Sequence, residues 1–267
     1  MNTFSGKSTV VTGAASGIGH ALARALVARG AVVYAVDRYE AGLQQLQKQL
    51  QQTGNKAGKL VTVKLDVTNE TAVKNLLGRV VAECHSLDFV FNNAGIVTSG
   101  HFEHMDSQTW RRIIDINLWG VIHGTQHAYA IMCEQGHGHI INTASTAGVA
   151  PVARSIPYAT TKHAVVGLST SLREEARSRN IQVSVVLPGL VDTGIFSSAT
   201  IVNDYDYVSS IKRVPLRKIS PEQAANAILR GVAANNGYIV FPPYNKLIIF
   251  LYRLAPALAG RLLNLAT

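Results

Sequence analysis

The chain has 267 residues, about the size of one large α/β domain, since domains typically contain about 100 to 200 residues and α/β units often exceed that. Hydrophobic residues make up 47% of the sequence and charged residues 15%, which excludes a disordered chain, a collagen and a disulfide scaffold. The formal net charge of +9 favours anionic partners, but the basic residues are scattered rather than clustered, so we expect no nucleic-acid partner.

Short β-branched runs alternate with longer helical patterns through the first half of the chain. The sequence predicts strands at 8–11, 31–36, 60–65, 89–91 and 140–143, separated by helices at 17–29, 43–52, 70–83 and 107–133. This alternation is typical of βαβ units, whose parallel sheet is buried on both faces. The first apolar run is too short for a signal peptide.

The second half continues the same alternation without a linker or an internal repeat. It predicts a helix at 158–179, a strand at 183–187, a helix that begins at 220–222 and a seventh strand at 238–241. Residues 190–219 show no strong period, and loops of this length often cover substrates. We therefore predict a single α/β domain with a Rossmann-type, doubly wound parallel sheet, whose main body spans 1–243 and includes a substrate loop at 190–219.

Residues 244–267 are predicted to form an apolar extension of the same domain. Apolar residues cover nearly all faces of 247–252, but the run ends at Arg253, short of the roughly 18 to 20 residues that span a bilayer. One interpretation is that the segment packs on the core or on a partner subunit. The alternative is peripheral membrane contact, in which Lys246, Arg253 and Arg261 reach anionic head groups.

Cysteine usage indicates the compartment. The two cysteines, Cys84 and Cys133, cannot form a disulfide framework and match no metal-binding spacing, so we expect free thiols and no metal. A cytoplasmic location follows from this expectation, with membrane association as the alternative.

The first predicted turn has the pattern of a dinucleotide site. Residues 12–19 read TGAASGIG, directly after a strand and at the start of a helix. Glycines here let the backbone approach a pyrophosphate, whose charge meets the positive end of the helix dipole. A glycine motif alone is weak evidence for a dinucleotide site. Asp37, however, ends the second strand close to the expected spacing of about 20 residues after it.

Asp37 also predicts which nucleotide is bound. A carboxylate here can accept both hydroxyls of the adenosine ribose and repels a 2′-phosphate, so NAD is favoured. The neighbouring Arg38 could pair with a 2′-phosphate, which keeps NADP as the less favoured alternative. A helix-capping role for Asp37 alone is a third interpretation.

Tyr158 and Lys162 lie four residues apart on a predicted helix and therefore share a face. An ammonium beside a phenol stabilises the phenolate and lowers a tyrosine pKa that starts near about 10. The pair could then act as a general acid/base near neutral pH. Taken alone, such a pair is more often a surface contact, but the glycine turn upstream favours the catalytic interpretation.

Together these motifs resemble the classical short-chain dehydrogenase/reductase (SDR) family, from residue 6 to about 241. Besides the TGxxxGxG turn and the YxxxK pair, the family features are the Asn92-Asn93-Ala94-Gly95 run, Asn117, Ser145, and Pro188-Gly189 with Thr193. The resemblance implies an oxidoreductase that interconverts an alcohol and a ketone or aldehyde. It also implies a homodimer or homotetramer, joined through the helices that hold Asn117 and Tyr158.

The resemblance further implies a role for each site residue. Tyr158 would exchange a proton with the substrate oxygen, and Ser145 would hydrogen-bond the same oxygen. Lys162 would lower the Tyr158 pKa and bind the nicotinamide ribose, while Asn117 would hold a water of a proton relay. The cofactor-binding residues implied, besides Tyr158 and Lys162, are Gly13, Ser16, Gly17, Ile18, Gly19, Asp37, Arg38, Asp66, Val67, Asn93, Ala94, Gly95, Pro188, Gly189, Val191 and Thr193.

Few charged residues lie near the expected substrate pocket, which favours an apolar alcohol or ketone, unless these side chains only pack the loops. Two other functions stay open: an NADP(H)-dependent carbonyl or 3-oxoacyl reductase, and a catalytically idle cofactor-binding regulator, whose catalytic set would be broken. A basic nucleic-acid binder is a weaker alternative. The expected pocket residues are Val97, Ala147, Val149, Val152, Ile156, Leu190, Ile195 and Phe196.

Overall fold

The computed structural model describes residues 3–52, 57–195, 198–203, 205–206, 209 and 217–256. The predicted pocket residue Phe196, most of 204–216 in the predicted substrate loop, and the end of the apolar extension with Arg261 lie outside the described residues.

Strands and helices alternate in the predicted order. The strands are β1 (Ser8–Thr12), β2 (Val32–Asp37), β3 (Lys59–Lys64), β4 (Phe89–Asn92), β5 (Thr98–Ser99), β6 (Gly138–Thr143), β7 (Ile181–Pro188), β8 (Thr200–Ile201) and β9 (Tyr238–Phe241). Within the described residues, the helices of two turns or more are α1 (Gly17–Ala28), α2 (Glu40–Gln52), α3 (Glu70–Cys84), α4 (Ser107–Ile114), α5 (Gly120–Gln135), α6 (Ile156–Ala176), α7 (Pro221–Ala233) and α8 (Tyr244–Leu254).

Seven strands of the described chain form one parallel sheet in the order β3-β2-β1-β4-β6-β7-β9. The strand order reverses between β1 and β4. In open α/β sheets this reversal leaves a crevice at the carboxyl ends of the strands, where ligands bind. The predicted α/β class, the doubly wound parallel sheet and the single domain are confirmed.

Both faces of the sheet are covered, which explains why its central strands are buried along their length rather than on alternate residues. All five residues of β1 are buried. On one face, Leu22 and Leu26 of α1 pack with Ile228 of α7. On the other, Leu77 of α3 packs with Met132 of α5. The core thus fixes the strand ends that carry the candidate site.

The helix predicted at 107–133 is interrupted. A π-helical turn, Asp115–Trp119, separates α4 from α5. Such a turn adds one residue without changing the apolar pattern on either side, so the sequence does not reveal it. π turns are frequent at functional sites, and this one contains Asn117.

Two short strands were also not predicted. β5 and β8 pair in parallel as a separate two-stranded sheet, with Thr98 opposite Thr200. β8 lies inside the segment 190–219, which showed no period. A strand of two residues is too short to show an alternating pattern. The pairing also joins residues about a hundred positions apart, and a local sequence pattern cannot indicate such a contact.

No helix within the described ranges is both long and apolar enough to cross a membrane. Cys84 and Cys133 are free thiols, each half-buried.

Asp88 anchors the start of β1 to the turn before β4. Its buried carboxylate accepts hydrogen bonds from Lys7 Nζ at 2.8 Å, from the Ser8 N–H at 3.0 Å and from Ser86 Oγ at 3.0 Å. Burial by itself raises the pKa of Asp88, but these bonds outweigh burial and hold the pKa below its usual value.

Replacing Asp88 with Asn is therefore expected to lower the free energy of unfolding by about 1 to 3 kcal/mol at pH 7, because the variant leaves buried donors poorly paired. The folded-state pKa lies below the unfolded one, so the carboxylate stabilises the fold above the unfolded pKa of about 3.9, and this contribution is lost as pH falls through the folded pKa. Urea unfolding at pH 7 and at pH 3 measures both effects; equal stability of the two proteins at pH 7 would contradict the assignment.

Candidate active site

A cavity of about 580 Å³ opens at the carboxyl ends of the sheet strands. One end is lined by the turn after β1 and by the ends of β2 and β3. The other end is lined by residues after β4, β6 and β7 and by the start of α6. Every predicted site residue lines this cavity except Gly19 and Asn117.

The glycine turn forms a close-fitting cradle at the start of α1. Gly13 and Gly17 have φ values of +69° and +54°, a conformation that favours glycine. Ser16 is the N-cap of α1, and its side chain makes no capping hydrogen bond, so the positive end of the helix faces the cavity. Space for a backbone approach and uncapped N–H donors are what a pyrophosphate requires, so these residues fit a dinucleotide.

Gly19 lies behind this cradle and does not line the cavity. A Cβ atom at Gly19 would overlap the carbonyl oxygen of Gly13 and would lie 2.7 Å from the Asn93 side-chain nitrogen. The expectation that Gly19 touches the cofactor is not met by the cavity lining. The residue instead allows α1 to start directly against the turn.

Asp37 and Arg38 lie together at the nucleotide end of the cavity. The Asp37 carboxylate accepts hydrogen bonds from the N–H groups of Ala15 at 3.0 Å and Tyr39 at 2.9 Å. The bond to Tyr39 lies in the turn before α2 and caps no N–H of that helix, whereas the side chain does lie on the cavity wall. A carboxylate fixed by two main-chain donors is pre-oriented toward the cavity.

Three predicted catalytic side chains meet at the opposite end. Ser145 follows β6, and Tyr158 and Lys162 lie on the first turns of α6. Lys162 is buried; its Nζ donates to the Thr143 carbonyl oxygen at 2.8 Å and lies 5.7 Å from the centre of the Tyr158 ring. The Ser145 hydroxyl hydrogen-bonds the Tyr158 phenol. Tyr158 and Ser145 can therefore act on one substrate oxygen.

The pKa of Tyr158 differs from the sequence expectation. Burial raises it above its ordinary value, and the hydrogen bond with Ser145 offsets this only in part. Burial also lowers the pKa of Lys162 to about 8. The net pKa is thus raised where the sequence predicted a lowered one, because burial outweighs the favourable contacts. The Lys162 ammonium is directed to the Thr143 carbonyl rather than to the phenol.

Asn117 supports the cavity wall from behind. It is fully buried in the π turn; its Oδ1 accepts from the Ile96 N–H at 2.8 Å, and its Nδ2 donates to the Ile96 carbonyl at 2.9 Å. A Cβ atom at Gly95 would lie 3.3 Å from Asn117 Oδ1 and 3.5 Å from Lys162 Nζ. The structure thus brings Asn117 beside Lys162 without placing it on the cavity surface.

Several site residues were not identified from the sequence. Thr12 Oγ1 accepts hydrogen bonds from the N–H groups of Asn93 and Ala94 at 2.9 and 3.0 Å, which ties the glycine turn to β4. Thr12 opens the glycine motif, so that signal was available. Asn245 and Ile248 of α8 also line the cavity, but nothing in the local sequence indicates a contact made by a helix so far along the chain.

The charged lining residues among those described are Asp37, Arg38, Asp66 and Lys162. Apart from Lys162, which is turned to Thr143, all of them belong to the nucleotide end. The substrate end carries apolar and small polar side chains. Of the predicted pocket residues, Val97, Ala147, Val152, Leu190 and Ile195 line it, whereas Val149 and Ile156 do not. No cluster of three or more His, Cys, Asp or Glu side chains in the described ranges could hold a metal.

Comparison with known proteins gives a consistent match. A family model described as short chain dehydrogenase covers residues 7–202. A putative oxidoreductase, SadH, from Mycobacterium tuberculosis is 33% identical over 260 residues, covering 95% of this chain and 92% of the relative. The 3-oxoacyl-acyl-carrier-protein reductase FabG of Thermotoga maritima is 31% identical over 235 residues, covering 88% of this chain and 93% of the relative.

The fold also matches a solved structure. A short-chain dehydrogenase/reductase from Burkholderia phymatum, crystallised in complex with NAD, superposes with a TM-score of 0.86 at 26% identity. The match covers 97% of this chain and 96% of that protein.

Proposed function

This chain belongs to the short-chain dehydrogenase/reductase family, whose members act on CH–OH groups and bind NAD(P), and we propose that it interconverts an apolar alcohol and its ketone or aldehyde with NAD(H). The observation that carries the proposal is a single cavity with a dinucleotide cradle at one end and Ser145 and Tyr158 at the other. An intact catalytic set argues against an idle regulator.

In the proposed reaction, the dinucleotide held by the glycine cradle would supply the hydride chemistry at the substrate carbon when bound. Tyr158 donates its phenolic proton to the carbonyl oxygen during reduction and removes the hydroxyl proton during oxidation. Ser145 donates a hydrogen bond to the same oxygen and holds it in place as charge develops. Lys162 keeps a positive charge beside the ring, and Asn117 fixes the wall against which Lys162 lies, next to the proposed water relay.

The residues that would hold the dinucleotide follow from their places on the cavity wall. The glycine cradle and the end of α1 would bind the pyrophosphate. Asp37 would accept the adenosine ribose hydroxyls, Asp66 and Val67 would contact adenine, and Val191 with Thr193 would meet the carboxamide. We propose the remaining contacts for Arg38, Asn93, Ala94, Gly95, Pro188 and Gly189.

Cofactor preference provides a direct test of the ribose site. Replacing Asp37 with Ala is expected to raise the NADP/NAD ratio of kcat/KM by roughly tenfold or more, because a carboxylate facing a 2′-phosphate is removed beside Arg38. Glu40→Ala is the matched control, since Glu40 is an exposed acid that pairs with Lys64 outside the cavity. An unchanged ratio in Asp37→Ala, or an equal change in Glu40→Ala, would contradict this assignment.

The second candidate is an NADP(H)-dependent carbonyl or 3-oxoacyl reductase. Two observations favour it: Arg38 on the cavity wall, where a guanidinium could pair with a 2′-phosphate, and the similarity to a 3-oxoacyl reductase. An NAD(P)-linked screen separates the candidates. Turnover of uncharged secondary alcohols with NAD, or of ketones with NADH, supports the first, and turnover of 3-oxoacyl thioesters with NADPH supports the second.

Assembly and location remain proposals. Family members typically oligomerise, and we propose a homodimer or homotetramer formed through α5 and α6, in the cytoplasm. Light scattering of the purified protein measures the subunit number; a monomer at micromolar concentration would contradict this proposal.

A further inference from the structure

Helix α8 exposes a continuous apolar stripe. Leu247, Phe250, Leu251 and Leu254 recur at the i, i+3, i+4, i+7 spacing that places them on one helical face. Each keeps between 46% and 66% of its surface exposed. A stripe of large apolar side chains at this exposure indicates a contact surface rather than scattered surface residues.

The opposite face of the same helix is already covered. Asn245 and Ile248 line the cavity, and Ile249 packs on a core cluster formed by α5, α6 and β7. These positions, with Tyr252, show the same helical spacing on the other side. The helix cannot turn its exposed stripe inward without giving up a wall of the cavity.

The charged residues of α8 are of one sign. Glu222 is the last acidic residue of the sequence, and the residues after it include Arg230, Lys246, Arg253 and Arg261. Lys246 and Arg253 border the stripe, and Arg253 lies 5.7 Å from the centre of the Tyr238 ring. An apolar helical face bordered by cations and without acids matches the boundary of an anionic lipid surface.

The same charges disfavour a second copy of the chain on this face. A two-fold contact places each patch against itself. Lys246 and Arg253 would then both be carried into the contact by each copy, with no acidic residue on α8 to pair with them. The charge distribution therefore selects an anionic surface over a self-complementary interface.

We propose that the outer face of α8 docks the protein on an anionic lipid bilayer. The apolar stripe enters the head-group boundary, and Lys246 and Arg253 contact lipid phosphates. Ile248 of the same helix lines the cavity, so docking brings the cavity wall next to the lipid phase, a source of apolar substrate. This last link, from lipid to substrate, rests on the proposed function; the docking does not.

Vesicle flotation of the full-length protein tests the docking. The bound fraction is expected to be high with phosphatidylcholine–phosphatidylglycerol vesicles and low with phosphatidylcholine alone. The double substitution Phe250→Gln, Leu254→Gln should lower the partition coefficient by roughly tenfold or more. Lys246→Glu with Arg253→Glu should remove the preference for anionic vesicles. Phe102→Gln, an exposed aromatic outside α8, is the matched control and should float like the unchanged protein.

Binding of NAD by each variant, followed by calorimetry, shows that the fold is retained. Absence of flotation of the intact protein with anionic vesicles would overturn the proposal, as would flotation of both double variants equal to that of the unchanged protein. A fall in molar mass of the Phe250/Leu254 variant without any vesicle binding would assign the stripe to a second copy. Retained flotation without hydride transfer would instead overturn the proposed function alone.

Discussion

Replacing Tyr158 with Phe is expected to reduce turnover by about 100- to 10,000-fold, the range that a positioned general acid/base contributes. The phenol hydroxyl is the group that exchanges a proton with the substrate oxygen, and the ring itself is unchanged. The affinity for NAD should therefore stay within about twofold of its original value. Steady-state kinetics with NAD and an apolar secondary alcohol, together with calorimetric NAD binding, measure the two quantities.

The control for this experiment is Tyr129 of α5. Its hydroxyl is buried and lies away from the cavity, so Tyr129→Phe removes a phenol of the same chemistry without touching the proposed site. Turnover by Tyr158→Phe comparable to the unchanged protein would overturn the proposed mechanism. If Tyr158→Phe lost both NAD binding and turnover, Tyr158 would act by shaping the cavity rather than by transferring a proton.

The raised pKa of Tyr158 adds a pH signature to the same variant. At neutral pH the phenol is protonated, which is the form that donates to a carbonyl in reduction. Oxidation needs the phenolate, so the oxidation rate should rise with pH through the alkaline range, whereas reduction should fall. This opposite dependence should disappear in the residual activity of Tyr158→Phe, because no titrating group then faces the substrate oxygen.

The second large effect is expected for Gly19→Ala. The added Cβ would overlap the Gly13 carbonyl oxygen, a backbone atom that cannot move away without shifting the turn or the start of α1. Overpacking of this kind costs about 1 to 3 kcal/mol of unfolding free energy. NAD binding should weaken by roughly tenfold or more, since about 1.4 kcal/mol of lost interaction is tenfold. Urea unfolding and calorimetry measure the two losses.

Gly78→Ala provides the matched comparison for Gly19→Ala. Gly78 lies within α3, and no atom lies within 4 Å of where its Cβ would be. Alanine in a helix is favoured over glycine by about 1 kcal/mol, so this variant should be slightly more stable and should bind NAD normally. Equal behaviour of the two variants would show that the close contact behind the cradle does not shape the dinucleotide site.

The local sequence was sufficient for the sheet and for most of the candidate site. The strands are apolar because helices cover both faces, and this pattern is visible without coordinates. Gly13 follows β1, Asp37 ends β2 and Tyr158 lies in the first turn of α6, so the common edge of a parallel sheet brings them together once the elements are known. The predicted family, fold and enzyme class are accordingly confirmed.

Other features depend on contacts between distant segments. The π turn at Asn117 leaves the apolar periodicity on either side intact, and the pairing of β5 with β8 involves only two residues in each strand. The pKa of Tyr158 depends on how much water the folded chain removes from around it, which a spacing of four residues cannot express. Burial therefore reversed a prediction based on the charge of Lys162 alone.

The apolar extension shows most directly what the sequence determines by itself and what only the tertiary structure decides. The sequence alone determined that α8 is apolar on nearly every face and that its charges are basic. Only the tertiary structure decided which face is used, because it sets Asn245 and Ile248 against the cavity and leaves Leu247 and Phe250 outward. Periodicity records which residues share a face, whereas the choice between faces depends on the surface that the rest of the chain presents.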